Sequence, residues 1–225
     1  MFEGFSQASV DFLWGLRLNN ERSWFQAHKE EFQTTVDIPL RALAEEITAR
    51  MTQEFPKLGL SCKVSRIYRD ARRLFGRGPY KDHLWFALRR PSENEGSTPC
   101  FYFEIAPEYY SYGMGCYSAP PAFMAKLRAR IDRDPAPLEK LARRLNRRKE
   151  FRLEGACYKR PKGDPGPLLF PWYNRRQLSI SADWNCEDLL FTPRLADQVM
   201  DGFRFLAPFY QYLISVAADG EPEGE

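Results

Sequence analysis

A chain of 225 residues that is 44% hydrophobic and 15% aromatic can bury a substantial core, which excludes a disordered polymer. Its 33 basic and 30 acidic side chains leave a mild +3, and no apolar run reaches the length a membrane-spanning helix needs. Five scattered cysteines without a CxxC, and two well-separated histidines, argue for free thiols in a reducing cytosol and against a zinc site.

In chain order, the N-terminus lacks a basic region before a long apolar one, so no signal peptide is expected. Ser6 is placed to cap a first helix running to about Arg17, with Phe12, Leu13 and Leu16 on its apolar face. Asn20 then reads as the N-cap of a second helix, with Glu21 in its first turn. A ligand-bonding role for Asn19-Asn20 is the less economical reading. His28 reads as a partly exposed helix residue. Asp37-Ile38-Pro39 marks a kink or a new helix start, because proline fits the first turn. Leu40, Leu43, Ala44, Ile47 and Met51 follow at helical spacing and define a core-facing helix ending near Phe55-Pro56.

A strand is expected over 64–68, then RIYRDARRLFGRGPYKDH, residues 66–83, where the unusual chemistry concentrates. Arg66, Arg69, Arg72, Arg73, Arg77 and Lys81 face one acid, Asp70, before Asp82 is reached. Gly76, Gly78 and Pro79 break the chain and make 69–79 a loop or short helical turn between two strands. Arginine forks suit phosphate or carboxylate, and glycines let backbone N–H groups approach a ligand. The ligand-binding candidates are therefore Arg66, Arg69 and Arg72, with Tyr80 and Lys81 completing the pocket. Asp70, His83 and Glu104 are the candidate acids or bases. The competing reading makes Asp70 the anchor of an internal ion-pair network that pins the loop. No GxxxxGK[ST] P-loop occurs.

The pattern Arg66-x-x-Arg69-Asp70-x-Arg72, followed by Pro79-Tyr80-Lys81, resembles the RxxRDxRFxxxKxPYK signature of the bacterial family DUF2461, a domain of unknown function. The resemblance extends upstream through Phe12-Leu13, Leu16, Asn19-Asn20 and Trp24-Phe25, and downstream through Gly113-x-Gly115-x-Tyr117, over about residues 5–212. Two positions depart: Arg73 stands where the family usually has Phe, and Arg77 where it has Lys. After Tyr158 the match is looser. The resemblance supplies no activity, cofactor or catalytic residue.

Further on, 84–90 reads as a strand and PSENEGST as a polar loop. Residues 100–106 alternate, with Phe101, Phe103 and Ile105 on one face and Cys100, Tyr102 and Glu104 on the other; 109–114 is the hairpin partner. Gly113-Met114-Gly115 leads to a helix near Pro120, capped by Ser118 or Ala119, whose start is a weak candidate anion seat. The helices over about 120–132 and 137–149, with Arg133 just beyond the first, carry ten basic residues. They read as a nucleic-acid or acidic-partner surface or, preferably, as a solvated face with Leu138, Leu141 and Leu145 packed inward. A long Pro- and Gly-rich surface connection reaches Arg176 through a short aromatic helix or turn at 170–173, and 178–181 reads as a further strand. Thr192-Pro193 starts the last helix, with Pro208 bending or stopping it, and 219–225 is an acidic disordered tail.

The expected class is α+β: an antiparallel or mixed sheet of at least four strands packed with N-terminal, middle and C-terminal helices, in a single domain over 1–218. Three functions stay open. One is a cytoplasmic protein binding a small anionic ligand at the arginine motif, with or without catalysis. Another is a non-catalytic module for nucleic acid or an acidic protein. The third makes the motif structural. No cofactor, metal or membrane partner is called for, and the oligomeric state is not encoded in any motif.

Overall fold

Helical periodicity in the first fifty residues resolves into α1 (Gln7–Leu18), α2 (Arg22–Ala27), α3 (Lys29–Phe32) and α4 (Ile38–Glu54) in the computed structural model, which describes residues 1–70, 72, 74, 76–91, 98–116 and 119–220. Ser6 precedes α1 with extended backbone and gives its N–H to the Ser9 hydroxyl at 2.9 Å. The start expected at Asp37-Ile38-Pro39 is where α4 begins, with proline in its first turn. A π-helical turn, Gln33–Asp37, carries α3 into it, and the Ile38 N–H bonds back to the Gln33 carbonyl. Leu40, Leu43, Ala44, Ile47 and Met51 are the buried face of α4, as the spacing requires.

The strands are β1 (Ser61–Val64), β2 (Leu84–Arg89), β3 (Cys100–Ile105) and β4 (Tyr109–Cys116), followed by helices α5 (Pro121–Arg133) and α6 (Ala136–Asn146). Then come β5 (Arg152–Glu154), α7 (Phe170–Tyr173), β6 (Leu178–Asn185) and α8 (Leu195–Ala217). The six strands form an antiparallel sheet in the order β1-β2-β3-β4-β6-β5, and the class is α+β. The first strand lies earlier than the 64–68 expected. Ser65 still reaches β2, donating its N–H to the Trp85 carbonyl at 2.8 Å, and the chain then leaves the sheet. The three-residue β5 was too short to signal itself; it pairs Arg152 with Ser181 and Glu154 with Ser179. Pro208 lies inside α8 and does not end it.

Two compact units are distinguishable. One comprises Met1–Leu88, Tyr102–Tyr112 and Asp183–Asp201; the other comprises Arg89–Phe101, Gly113–Ala182 and Gly202–Glu225. In the first, Phe103 stacks between Phe5 (6.1 Å) and Phe86 (5.6 Å), and Phe12 packs on Phe32 at 5.6 Å. In the second, Phe101 stacks on Tyr210 at 4.7 Å and lies 5.0 Å from Phe203. Such ring pairs bury large apolar area and prefer offset or tilted geometry. Gly113 and Gly115 are not a turn before a helix. Both lie inside β4, where a Cβ would stand 2.2 Å from the Ile180 carbonyl oxygen and 2.6 Å from that of Leu178. They let β4 and β6 approach closely.

Pro120 directly precedes α5, and the expected cap Ser118 lies outside the described residues, as do Tyr117, Arg73, residues 92–97 of the polar loop and 221–225 of the acidic end. Asp219, where that end begins, bonds Arg130 through Nε at 2.7 Å. Among the described residues no helix is long and apolar enough to cross a membrane.

Candidate functional site

The two arms of the arginine motif zip together. The Arg69 N–H donates to the Pro79 carbonyl and the Lys81 N–H to the Ile67 carbonyl, both at 2.8 Å, with Tyr68 bridging Tyr80 between them. Residues 67–69 and 79–81 are thus the paired arms of a short antiparallel ribbon. What aligns the ribbon comes from elsewhere in the chain. Asn20 is not the cap of α2; Glu21, with extended backbone, holds that position. The Asn20 amide instead donates to the Tyr80 carbonyl and accepts from the Tyr80 N–H, each at 3.0 Å. A primary amide carries a donor and an acceptor side by side, so it can pair with a backbone residue as a neighbouring strand would. Gly78 makes this possible, since a Cβ there would lie 2.2 Å from Asn20 Oδ1. Its role is room for a side chain rather than for a ligand. The buried Tyr80 ring then stacks on Phe25 of α2 at 4.2 Å.

An ion-pair network fixes the base of the ribbon, and Asp82 gathers two arginines in it. Arg69 donates through Nε to the Tyr80 carbonyl (2.6 Å) and through Nη2 to Asp82 (3.0 Å). Arg17 of α1 binds the other Asp82 oxygen at 2.6 Å and also pairs with Glu108. Burial alone would raise the Asp82 carboxyl, whose side chain is 18% exposed. The Arg17 hydrogen bond and charge, the backbone and His83 outweigh burial and hold it below the usual carboxylate value. Asp70 accepts from Arg72 Nε (3.0 Å) and Nη2 (2.8 Å). The Arg72 side chain is 88% exposed, and such pairs contribute little to stability.

Beside the ribbon lies a groove of about 330 Å³ lined by Arg22 and Gln26 of α2 and by Tyr68, Arg69, Leu74, Pro79 and Tyr80. Of the expected ligand residues, Arg69 and Tyr80 line it. Arg66, Arg72 and Lys81 do not. Lys81 folds back to donate to the Arg66 carbonyl at 2.7 Å and sits 5.9 Å over the Trp85 ring. Burial, followed by the charges of Arg66, Arg69 and Lys63, lowers its pKa. The expected acids and bases are dispersed. Asp70 bonds Arg72, His83 Nδ1 lies 3.4 Å from Asp82, and Glu104 accepts from Tyr109 at 2.8 Å. Among the described residues no cluster of three His, Cys, Asp or Glu is placed to hold a metal.

Sequence reasoning missed Arg17, Arg22, Gln26 and Asp82. Asp82 carried a signal, being the acid next to Lys81 at the end of the basic run. Arg22 carries no such signal, being a lone cation in the six-residue helix α2.

No curated protein matches the chain. The family model for DUF2461, described as a conserved hypothetical protein, matches residues 8–212. The chain therefore belongs to the DUF2461 family, whose molecular function is unknown.

Proposed function

We propose that this protein binds a small anion carrying a flat or apolar body in the groove between α2 and the motif ribbon. The observation that supports this most directly is the pairing of two guanidinium groups, Arg22 and Arg69, in one cleft walled by Tyr68, Leu74 and Pro79. Tyr68, 54% exposed, presents its ring as one wall of the groove. Arg22 is exposed and makes no ion pair among the described residues, so its fork remains available to a phosphate or carboxylate. Gln26 adds an amide, and the volume is that of a small-molecule site. The reading is one of binding; Asp70, His83 and Glu104 lie off the groove and are not given catalytic roles. Five free cysteines fit a reducing, cytoplasmic setting.

The structural reading of the motif has its own support in the Asn20 clamp and the Asp82 hub. The two readings divide the motif between them: Arg69 belongs to both, and Arg22 to the groove alone. Arg22→Ala therefore separates binding from folding. Thermal-shift measurements would use inorganic phosphate, nucleotides, small carboxylates and short oligonucleotides at two salt concentrations, on the wild type and on Arg22→Ala, Arg69→Ala and Arg72→Ala. The expected result is stabilisation by one small-anion class, abolished in an Arg22→Ala variant that melts like the wild type, and retained in Arg72→Ala. Stabilisation by oligonucleotides alone, falling steeply with salt, would replace the proposal with the nucleic-acid module. No shift by any compound would leave the motif a structural device.

A further inference from the structure

Helix α6 presents two faces. Leu138, Ala142 and Leu145 are buried, while Lys140, Arg143, Arg144 and Arg147 form an exposed stripe at helical spacing. Leu141, expected inward, is only half-buried and lies beside the stripe. Together with Pro208 and Tyr212 of α8, Leu141 floors a groove of about 730 Å³ whose rim is the basic stripe. The groove is built entirely within the second unit and is independent of the motif.

Three features define what fits there. The cations stand along one side over eight residues, Lys140 to Arg147, roughly 10 Å of helix, which is short for a nucleic-acid backbone track. Arg144 is held in place over the Phe205 ring at 4.9 Å, and Arg143 is engaged by Glu139 at 2.8 Å, whereas Lys140 and Arg147 form no ion pair among the described residues. The Tyr212 hydroxyl is buried without a hydrogen-bond partner among the described residues, and burial raises its pKa to about 12, so it stands as a protonated donor. Near the Tyr212 end, Arg130 of α5 already binds a carboxylate, that of Asp219 just beyond α8, and its guanidinium lies 5.9 Å from the Tyr212 ring.

We infer that the α6–α8 groove docks a short acidic segment of a partner protein, with an apolar side chain on the Leu141–Pro208–Tyr212 floor and flanking carboxylates on Lys140, Arg144 and Arg147. Charge complementarity selects the acids, and the apolar floor selects a peptide over a phosphate polymer. Loss of a rim cation weakens the complex through its ionic part, and loss of the floor contact weakens it at constant charge.

The test is fluorescence anisotropy with a labelled peptide, DEEFLEE, its equal-charge analogue DEESSEE, and a single-stranded oligonucleotide of matched charge. The full chain is used, with each variant checked by its melting transition. DEEFLEE is expected to bind at least ten-fold more tightly than DEESSEE. The double change Lys140→Glu and Arg147→Glu, both at exposed positions, is expected to weaken it at least ten-fold, and Tyr212→Phe several-fold, while Arg22→Ala leaves it unchanged. Equal binding of the two peptides, tighter binding of the oligonucleotide, or insensitivity to the double change in a folded variant would each overturn the inference.

Discussion

Two long connections in this protein are each pinned by one asparagine, and they differ in what the asparagine reaches. In the motif, Asn20 pairs with the backbone of Tyr80, sixty residues away. In the 158–176 connection, the buried Asn174 accepts from the Lys162 N–H at 2.6 Å and donates to the Gly163 carbonyl at 3.0 Å, twelve and eleven residues away. Each amide imitates a strand neighbour. Closing a five-fold longer loop costs about 1.4 kcal/mol more entropy, so the motif clamp has more to overcome. The reinforcement differs accordingly. Arg175 supports the connection by donating to backbone, including the Leu153 carbonyl at 2.8 Å. Arg69 supports the motif through a carboxylate, Asp82, which a second arginine shares. The local device needs only peptide groups; the non-local one is anchored by charge.

The largest effect is expected at that anchor. Asp82→Ala strands Arg69, whose side chain is mostly buried, and is expected to cost about 3 kcal/mol in chemical denaturation. Equal stability of variant and wild type would remove the distinction between the two devices. Next comes the pair of clamps. Asn174→Ala leaves three backbone groups (Lys162 N–H and the Gly163 and Phe170 carbonyls) without the amide, for about 2–3 kcal/mol; Asn20→Ala leaves two, for about 1–2 kcal/mol. Gly78→Ala, which pushes on the Asn20 amide, is expected to cost less in the Asn20→Ala background than alone; additive costs would mean that the glycine serves another purpose.

Acid titration sharpens the comparison at smaller amplitude. The Asp82 carboxyl lies below its ordinary value in the folded chain, so its contribution is fully present above about pH 4, the unfolded carboxylate range, and is lost as pH falls through the folded value. The stability gap between wild type and Asp82→Asn should therefore narrow on acidification, while the gap for Asn174→Ala should hold, because that amide bonds only backbone. The smallest effect is expected for Arg72→Ala. The Arg72–Asp70 pair lies in solvent, and the melting midpoint is expected to stay unchanged within error.

Local pattern made much of the architecture legible. The spacing of Leu40, Leu43, Ala44, Ile47 and Met51 gave a buried helix face, and the alternation through Phe101, Phe103 and Ile105 gave a buried strand face, because both periodicities are set within a few residues. The motif was legible as a concentration of charge, but the sharing-out of that charge was not. Six basic residues in sixteen look alike on paper. In the fold, Arg69 is internal, Lys81 turns back on Arg66, Arg72 pairs locally, and the cation facing Arg69 across the groove is Arg22 of another helix.

Composition, periodicity and the motif by themselves determined an α+β chain of the DUF2461 family with a cationic segment between its first two strands. The tertiary structure alone decided that Asp82 gathers Arg17 and Arg69, that Asn20 clamps Tyr80 instead of capping α2, and that Gly113 and Gly115 space two strands. The physical reason is common to all three. Caps and periodic faces depend on neighbours a few positions away, whereas these choices depend on which side chain arrives from far along the chain with the right donor, acceptor or volume.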